Sequence, residues 1–323
     1  MRRCSILWAV ALIFTACSNR LEVPGVEARI GLRAGIEEVA VTTRATAAPY
    51  QGTTPSTSNI LDASVWFSTT SGTYANTGAT GASATLPLHT EIQFNSSGLV
   101  YPVSDVLLYP ESGTVYCVGL YPYSATEWTN TNAAGASSTS HASHLIDGSQ
   151  DIMFAPQVSG TRESPISSPL AFTHQLTWLK FNVQAENHSA KLAWGNIESI
   201  SVTTPYSRLT VDLSAGTASC NGDPAVISAF SGSEALKISL QQLGSVFCAP
   251  ATTYNISVTT AYLGTKNFTV GLKGLDGTTP IGSADAAKGQ MFVITLSFQE
   301  VDMIDATCTL NTWDDIYQKI EGS

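Results

Sequence analysis

Between positions 26 and 36 the chain alternates without a break. Val26, Ala28, Ile30, Leu32, Ala34 and Ile36 share one parity, and Glu27, Arg29, Gly31, Arg33, Gly35 and Glu37 share the other. A period of two is the mark of a β-strand with one buried face, because successive side chains leave a strand on opposite sides. The apolar parity switches at Glu38, where Val39 and Val41 take over, as a bulge or turn would require. Shorter alternating or continuously apolar runs follow at 61–68, 92–94, 103–109, 115–121, 176–183, 197–203, 208–213, 236–240, 254–262, 267–272, 291–298 and 304–310. Turn-rich polar segments separate them, and no long run carries the helical period. Two loops of low charge, 69–85 and 129–144, stand out. Strands at this spacing predict an all-β chain of β-sandwiches. The length of 323 residues suits two stacked domains, expected at 45–185 and 186–323 with the break in the polar stretch 184–189.

Composition narrows the function. Charged residues make up only 12% of the chain, roughly half the usual share of about 25%. The formal charge of −10 argues against a nucleic-acid partner, which would demand clustered Lys and Arg. No apolar run reaches the roughly 20 residues that a spanning helix needs.

The chain begins Met1-Arg2-Arg3-Cys4, continues with an apolar run through Phe14, and then reads Thr15-Ala16-Cys17-Ser18. A basic start, a short apolar stretch and small residues form a secretory signal. With a cysteine after the small pair, residues 1–17 resemble a bacterial lipoprotein signal. That resemblance implies a cut before Cys17 and acylation of its thiol and amine. Two or three acyl chains anchor durably, since each buried CH₂ contributes roughly 0.8 kcal/mol.

Six of the eight arginines fall within the first 44 residues; only Arg162 and Arg208 lie beyond. A body that must survive an arginine-specific protease, cut once near the end of its Arg-containing segment, would have this distribution. The small polar stretch 42–49 around Arg44 suits an exposed, cleavable loop. Arg162, in Ser159-Gly160-Thr161-Arg162-Glu163, is the competing loop site.

A lipoprotein signal, an early strand and then Thr43-Arg44-Ala45 resemble the fimbrillins, the type V pilins of Bacteroidales. The resemblance continues in Val115 to Pro122, in Asp151-Ile152-Met153-Phe154-Ala155, and in Phe172-Thr173-His174-Gln175-Leu176. It ends in Lys288 to Leu296 and Asn311-Thr312-Trp313. It implies two tandem transthyretin-like sandwiches in a fimbrial subunit destined for the outer membrane. Residues 18–44 would be a propeptide, cut between Arg44 and Ala45 by an arginine-specific protease. The strand carrying Val26, Ile30, Leu32 and Ile36 would leave a groove that a neighbouring subunit's strand fills. The candidate donor is Ile304, Ala306, Cys308 and Leu310, which alternate with polar residues near the C-terminus. Partners would be other fimbrial subunits, the protease, the membrane through lipid, and a host or bacterial surface receptor. The rival reading is a non-polymerising surface lipoprotein that binds glycans through its loops.

Chemistry-bearing residues offer little more. Cys117 and Cys308 sit inside strand patterns as small apolar residues, while Cys220 and Cys248 share the second domain and leave a bridge open. His141 and His144 lie near Asp147 and Asp151, but a metal site needs fixed geometry and a third ligand, and solvated loop residues explain them as well. His174 reads as a structural histidine, and Asp314-Asp315 as a solvated chain end. Trp128, Trp194, Tyr206 and Tyr262 are candidates for sugar stacking or for packing. No nucleophile elbow, phosphate loop or dinucleotide fingerprint occurs, so neither an enzyme nor a metal or other cofactor is expected.

Overall fold

Alternation in the sequence becomes sheet in the structure. The computed structural model describes residues 28–36, 61–74, 89–94, 100–102, 107–123, 128–130, 141–300 and 303–311. Its strands in the first half are β1 (Ala34–Ile36), β2 (Leu61–Ser68), β3 (His89–Phe94), β4 (Val100–Pro102), β5 (Thr114–Tyr121), β6 (Thr129–Asn130), β7 (His141–Leu145), β8 (Met153–Thr161) and β9 (Leu170–His174). Those of the second half are β10 (Thr177–Ala185), β11 (Asn196–Thr204), β12 (Arg208–Asp212), β13 (Thr217–Asn221), β14 (Ala225–Ala235), β15 (Gln241–Cys248), β16 (Thr253–Thr260), β17 (Gly264–Gly271), β18 (Met291–Phe298) and β19 (Ile304–Asn311). Among the described residues there is one α-helix, α1 (His188–Trp194), and one 3₁₀ turn, Asp285–Ala287. The fold is all-β.

A seven-stranded sheet in the order β1-β9-β8-β5-β2-β3-β4 gathers the first part of the chain. One of its faces carries Ala63, Val65, Phe67, Ile92, Phe94, Val115, Cys117, Leu170 and Phe172, all buried. Phe94 stacks on Phe172 at 5.1 Å. Gly119 must stay small, because a Cβ there would lie 2.4 Å from the Phe172 ring. The opposite face contributes Trp66, Val118, Leu120 and Phe154 to a second core. Burial on both faces explains why β5 reads as a nearly continuous apolar run.

The second core fills the space between two four-stranded sheets, β15-β10-β18-β19 and β14-β11-β16-β17. Phe181, Val183, Ile294 and Leu296 enter it from the first, and Ile200, Val202, Ile256 and Val258 from the second. Facing sheets that bury alternate residues make a sandwich. Trp194, from α1, closes one end and donates its Nε1–H to the Gln299 carbonyl at 2.7 Å. Sheet membership changes between His174 and Thr177. A fourth sheet, β13-β12-β7-β6, takes β6 and β7 from the first half and β12 and β13 from the second.

Two sequence expectations change. The 129–144 loop contains β6 and most of β7, because β12 supplies a partner five residues long for β7. Residues 236–240 are not a strand but the link from β14 to β15. Leu236 is buried there while Ile238 and Leu240 stay half exposed, so the spacing was that of a connector touching the core once.

Candidate strand-docking site

Burial along residues 28–36 follows the alternation, although the regular strand is limited to Ala34–Ile36. Ile30, Leu32 and Ala34 are buried at 7, 7 and 2% exposure, with Arg29, Gly31 and Arg33 exposed between them. Ala28 and Ile36 are half-buried against the same core. Apolar side chains thus cover the face that holds Phe67, Phe94 and Phe172, and the two guanidinium-bearing residues face water.

The backbone is held at both ends by different partners. Near its start, Ile30 N–H donates to the Leu107 carbonyl at 2.8 Å and Tyr109 N–H donates to the Ala28 carbonyl at 2.9 Å, with Arg29 and Leu108 bridged antiparallel. Near its end, β1 runs parallel to β9, pairing Ala34 with Leu170, Gly35 with Ala171 and Ile36 with Phe172. Leu170 N–H donates to the Arg33 carbonyl at 2.7 Å. The segment is therefore extended over nine residues, but only its last three form a regular strand. Tyr109 finishes the enclosure by accepting a bond from Ile166 N–H at 2.7 Å. Burial raises the pKa of its hydroxyl, and the bond from Ile166 opposes the shift. Burial likewise pushes the Cys117 thiol up to about 12, so it stays a neutral apolar group beneath the segment.

The candidate donor at the other end of the chain is β19. It pairs antiparallel with β18 along its full length, from Met291 with Asn311 to Phe298 with Ile304, and occupies the margin of its sheet. Cys308 is buried, Ile304, Ala306 and Leu310 are half-buried, and the polar residues between them are exposed. Cys17, Val26, Arg44, Ala45, Asp314 and Asp315 lie outside the described residues.

The remaining candidates are used structurally. His144 is buried, its Nδ1 2.8 Å from the Leu145 carbonyl and its ring 5.0 Å from that of Trp128. His141 Nε2 lies 3.6 Å from Asp212 Oδ2, and Asp147 accepts bonds from the backbone and hydroxyl of Ser149. Asp151 pairs with His174 in the interior. No group of three metal-ligating side chains occurs among the described residues. Cys117, Cys220, Cys248 and Cys308 are free thiols, so the bridge left open between Cys220 and Cys248 is not formed. Trp128 and Trp194 are buried, whereas Tyr206 and Tyr262 are exposed. Arg162 sits in a tight turn closed by a bond from Thr161 N–H to the Ser164 carbonyl at 2.8 Å.

The alternation marks the covering segment but not its lining. The 103–109 run gave a signal for Leu107 and Tyr109, and the Phe-x-His stretch gave one for β9. Nothing local says that the two flank the same segment.

A sequence profile described as fimbrillin-like matches residues 43–313. No curated protein sequence matches the chain. Among solved structures, a proposed cell adhesion protein of Bacteroides uniformis superposes with a TM-score of 0.53 at 13% identity, over 88% of this chain and 98% of its own. A second, from Bacteroides ovatus, gives 0.53 at 15% identity, over 90% of this chain and 99% of its own. At such identities the likeness concerns the fold.

Proposed function

The chain belongs to the fimbrillin-like family, and from that premise we propose that it is a fimbrial subunit of the bacterial surface assembled by protease-triggered strand exchange. The precursor is tethered by acylated Cys17 to the outer membrane. An arginine-specific protease cuts between Arg44 and Ala45, and the peptide carrying Val26, Ile30, Leu32 and Ile36 leaves. A neighbouring subunit then supplies the replacement strand. An adhesive role on the surface, toward a host or bacterial receptor, goes with this assembly.

One observation carries the reading. Residues 28–36 are integral to the first core, yet they precede the proposed cut, so cleavage turns a covalent part of the fold into a bound peptide. Losing it uncovers the apolar face of Phe67, Phe94 and Phe172 and leaves backbone groups of Leu107, Tyr109 and Leu170 without their partners. Reburying Ile30, Leu32 and Ile36 equivalents would return roughly 1.5–3 kcal/mol each, less ordering costs. Backbone pairing adds register and direction. A head-to-tail contact of this kind propagates into an open filament.

The candidate donor is β19, with Ile304, Ala306, Cys308 and Leu310 on its inward parity. To donate, it must surrender its register with β18, so the groove has to return at least that much. Charge is a minor contributor: the first 44 residues hold six Arg and four Glu, so cleavage makes the body more acidic by only two charges than the −10 of the whole. The test is a tagged Arg44→Ala chain expressed in its native host. The proposal expects an unshortened product that stays out of filaments. Normal maturation and normal incorporation would overturn it.

A further inference from the structure

A polar recess lies at the far end of the outer face of the β15-β10-β18-β19 sheet, away from the strand-docking site. Its geometry follows from register. Gln184 on β10 pairs with Ser297 on β18, and Ser297 pairs with Asp305 on β19, so the three side chains form a row across neighbouring strands. One row inward, Asn182, Thr295 and Thr307 repeat the arrangement. The same face changes character toward its other end, where Lys180 lies 4.3 Å over the buried Trp178 ring and Phe247 stacks on it. The Gln184 end opens into a cavity of about 340 Å³, walled by Gln184, Glu186, Ile238, Ser297, Gln299 and Asp305. Small-ligand clefts run from about 300 to 1,000 Å³, so this one suits one or two rings.

The lining chooses the chemistry. Gln184 Nε2 donates to Ser297 Oγ at 3.0 Å, and Gln299 Nε2 donates to Asp305 Oδ2 at 2.8 Å. These bonds fix both amides and use one N–H of each; the second N–H of each amide and the Ser297 hydroxyl remain as donors, against a larger set of acceptors: two amide oxygens, the Asp305 carboxylate and that of Glu186. An acceptor-rich wall calls for a ligand rich in donors. No Lys or Arg lines the recess; the adjacent Lys237 is directed to Glu234 at 3.4 Å. Carboxylate, sulfate and phosphate ligands are therefore disfavoured by two negative charges without a counter-charge. Ile238, half exposed on the rim, adds an apolar surface. Planar acceptors that take hydroxyl protons, with an aliphatic wall for the C–H face, match the two-sided character of a pyranose. We infer that this recess binds the terminal sugar of an uncharged glycan. The site lies on a sheet face, apart from the exposed loop tyrosines, and is complete only while β19 stays paired with β18, so a chain that has given up β19 as donor would lack Asp305 there.

The test is affinity electrophoresis of the full chain in native gels containing mannan, galactomannan or laminarin, with polygalacturonate and heparin as anionic counterparts. Retardation is expected with at least one neutral polysaccharide and with neither polyanion. Gln184→Ala combined with Gln299→Ala should weaken the retardation constant at least tenfold with an unchanged unfolding midpoint, and Tyr206→Ala or Tyr262→Ala should leave it as it was. The inference is overturned by migration unaffected in all three neutral gels, by retardation in polyanions alone, by a double variant that binds like the parent, or by loss confined to the tyrosine variants.

Discussion

Replacing Ile30 and Leu32 together by alanine tests how firmly the leading segment is held. Both side chains sit at 7% exposure over the core that contains Phe67, Phe94 and Phe172. Truncating a well-packed Ile or Leu costs about 2–5 kcal/mol. A segment at the margin of its sheet lets the surroundings relax, which places each loss near the low end, about 2 kcal/mol. The two lie on one face two residues apart and share neighbours, so strict additivity does not apply, and about 4 kcal/mol is the working sum. At 1.4 kcal/mol per tenfold, that is nearly a thousandfold in the affinity of the cut peptide for its groove. The assay installs a site-specific protease sequence in place of residues 42–47, cuts the purified chain, and follows release of the leading peptide by size exclusion and mass spectrometry. The double variant should lose its peptide at least a hundredfold faster than the parent. Release within threefold of the parent would refute the reasoning, since the buried side chains would then contribute nothing to retention.

Three further outcomes follow from other parts of the molecule. Gly119→Ala drives a methyl into the Phe172 ring and should destabilise the chain by about 1–3 kcal/mol in urea unfolding, as overpacking does. Asp151→Ala removes the carboxylate hydrogen-bonded to the buried His174 ring and should cost about 1–3 kcal/mol, with Asp151→Asn costing less; equal midpoints for parent and Asp151→Ala would contradict this. Of the described cysteines only Cys220 is not fully buried, and burial pushes its thiol up to about 11. In a Cys4→Ser, Cys17→Ser background a thiol reagent should therefore label Cys220 alone in the native state. Its rate should climb about tenfold per pH unit between pH 7 and 10, because only the thiolate reacts.

The parts of the fold that were legible in the sequence are those where one face is buried and the other wet. Residues 28–36, β18 and β19 fit that description, and their alternation located them within a few residues. β14 carries no such signal, because most of its eleven residues face solvent or half-face it and leave no apolar parity to read. α1 carries none either, because seven residues cannot display a helical period; its start is fixed by Asn187, whose side chain accepts from Ala190 N–H at 2.9 Å, and its end by Gly195 at φ 70°. His141 and His144 looked like loop residues because a Ser-rich approach hides a strand whose partner, β12, lies more than sixty residues away. The sugar recess was invisible for a related reason. Gln184 meets Ser297 and Asp305 only through the parallel pairing of β10 with β18, and local sequence carries no signal for a contact of that range.

The measurement that bears most directly on the central claim is the N-terminal sequence of the mature surface form, taken together with its assembly state. Assembly by strand exchange predicts polymers whose subunits begin at Ala45 and lack the leading peptide. Polymers built of chains that still begin with acylated Cys17 and retain residues 28–36 would contradict it.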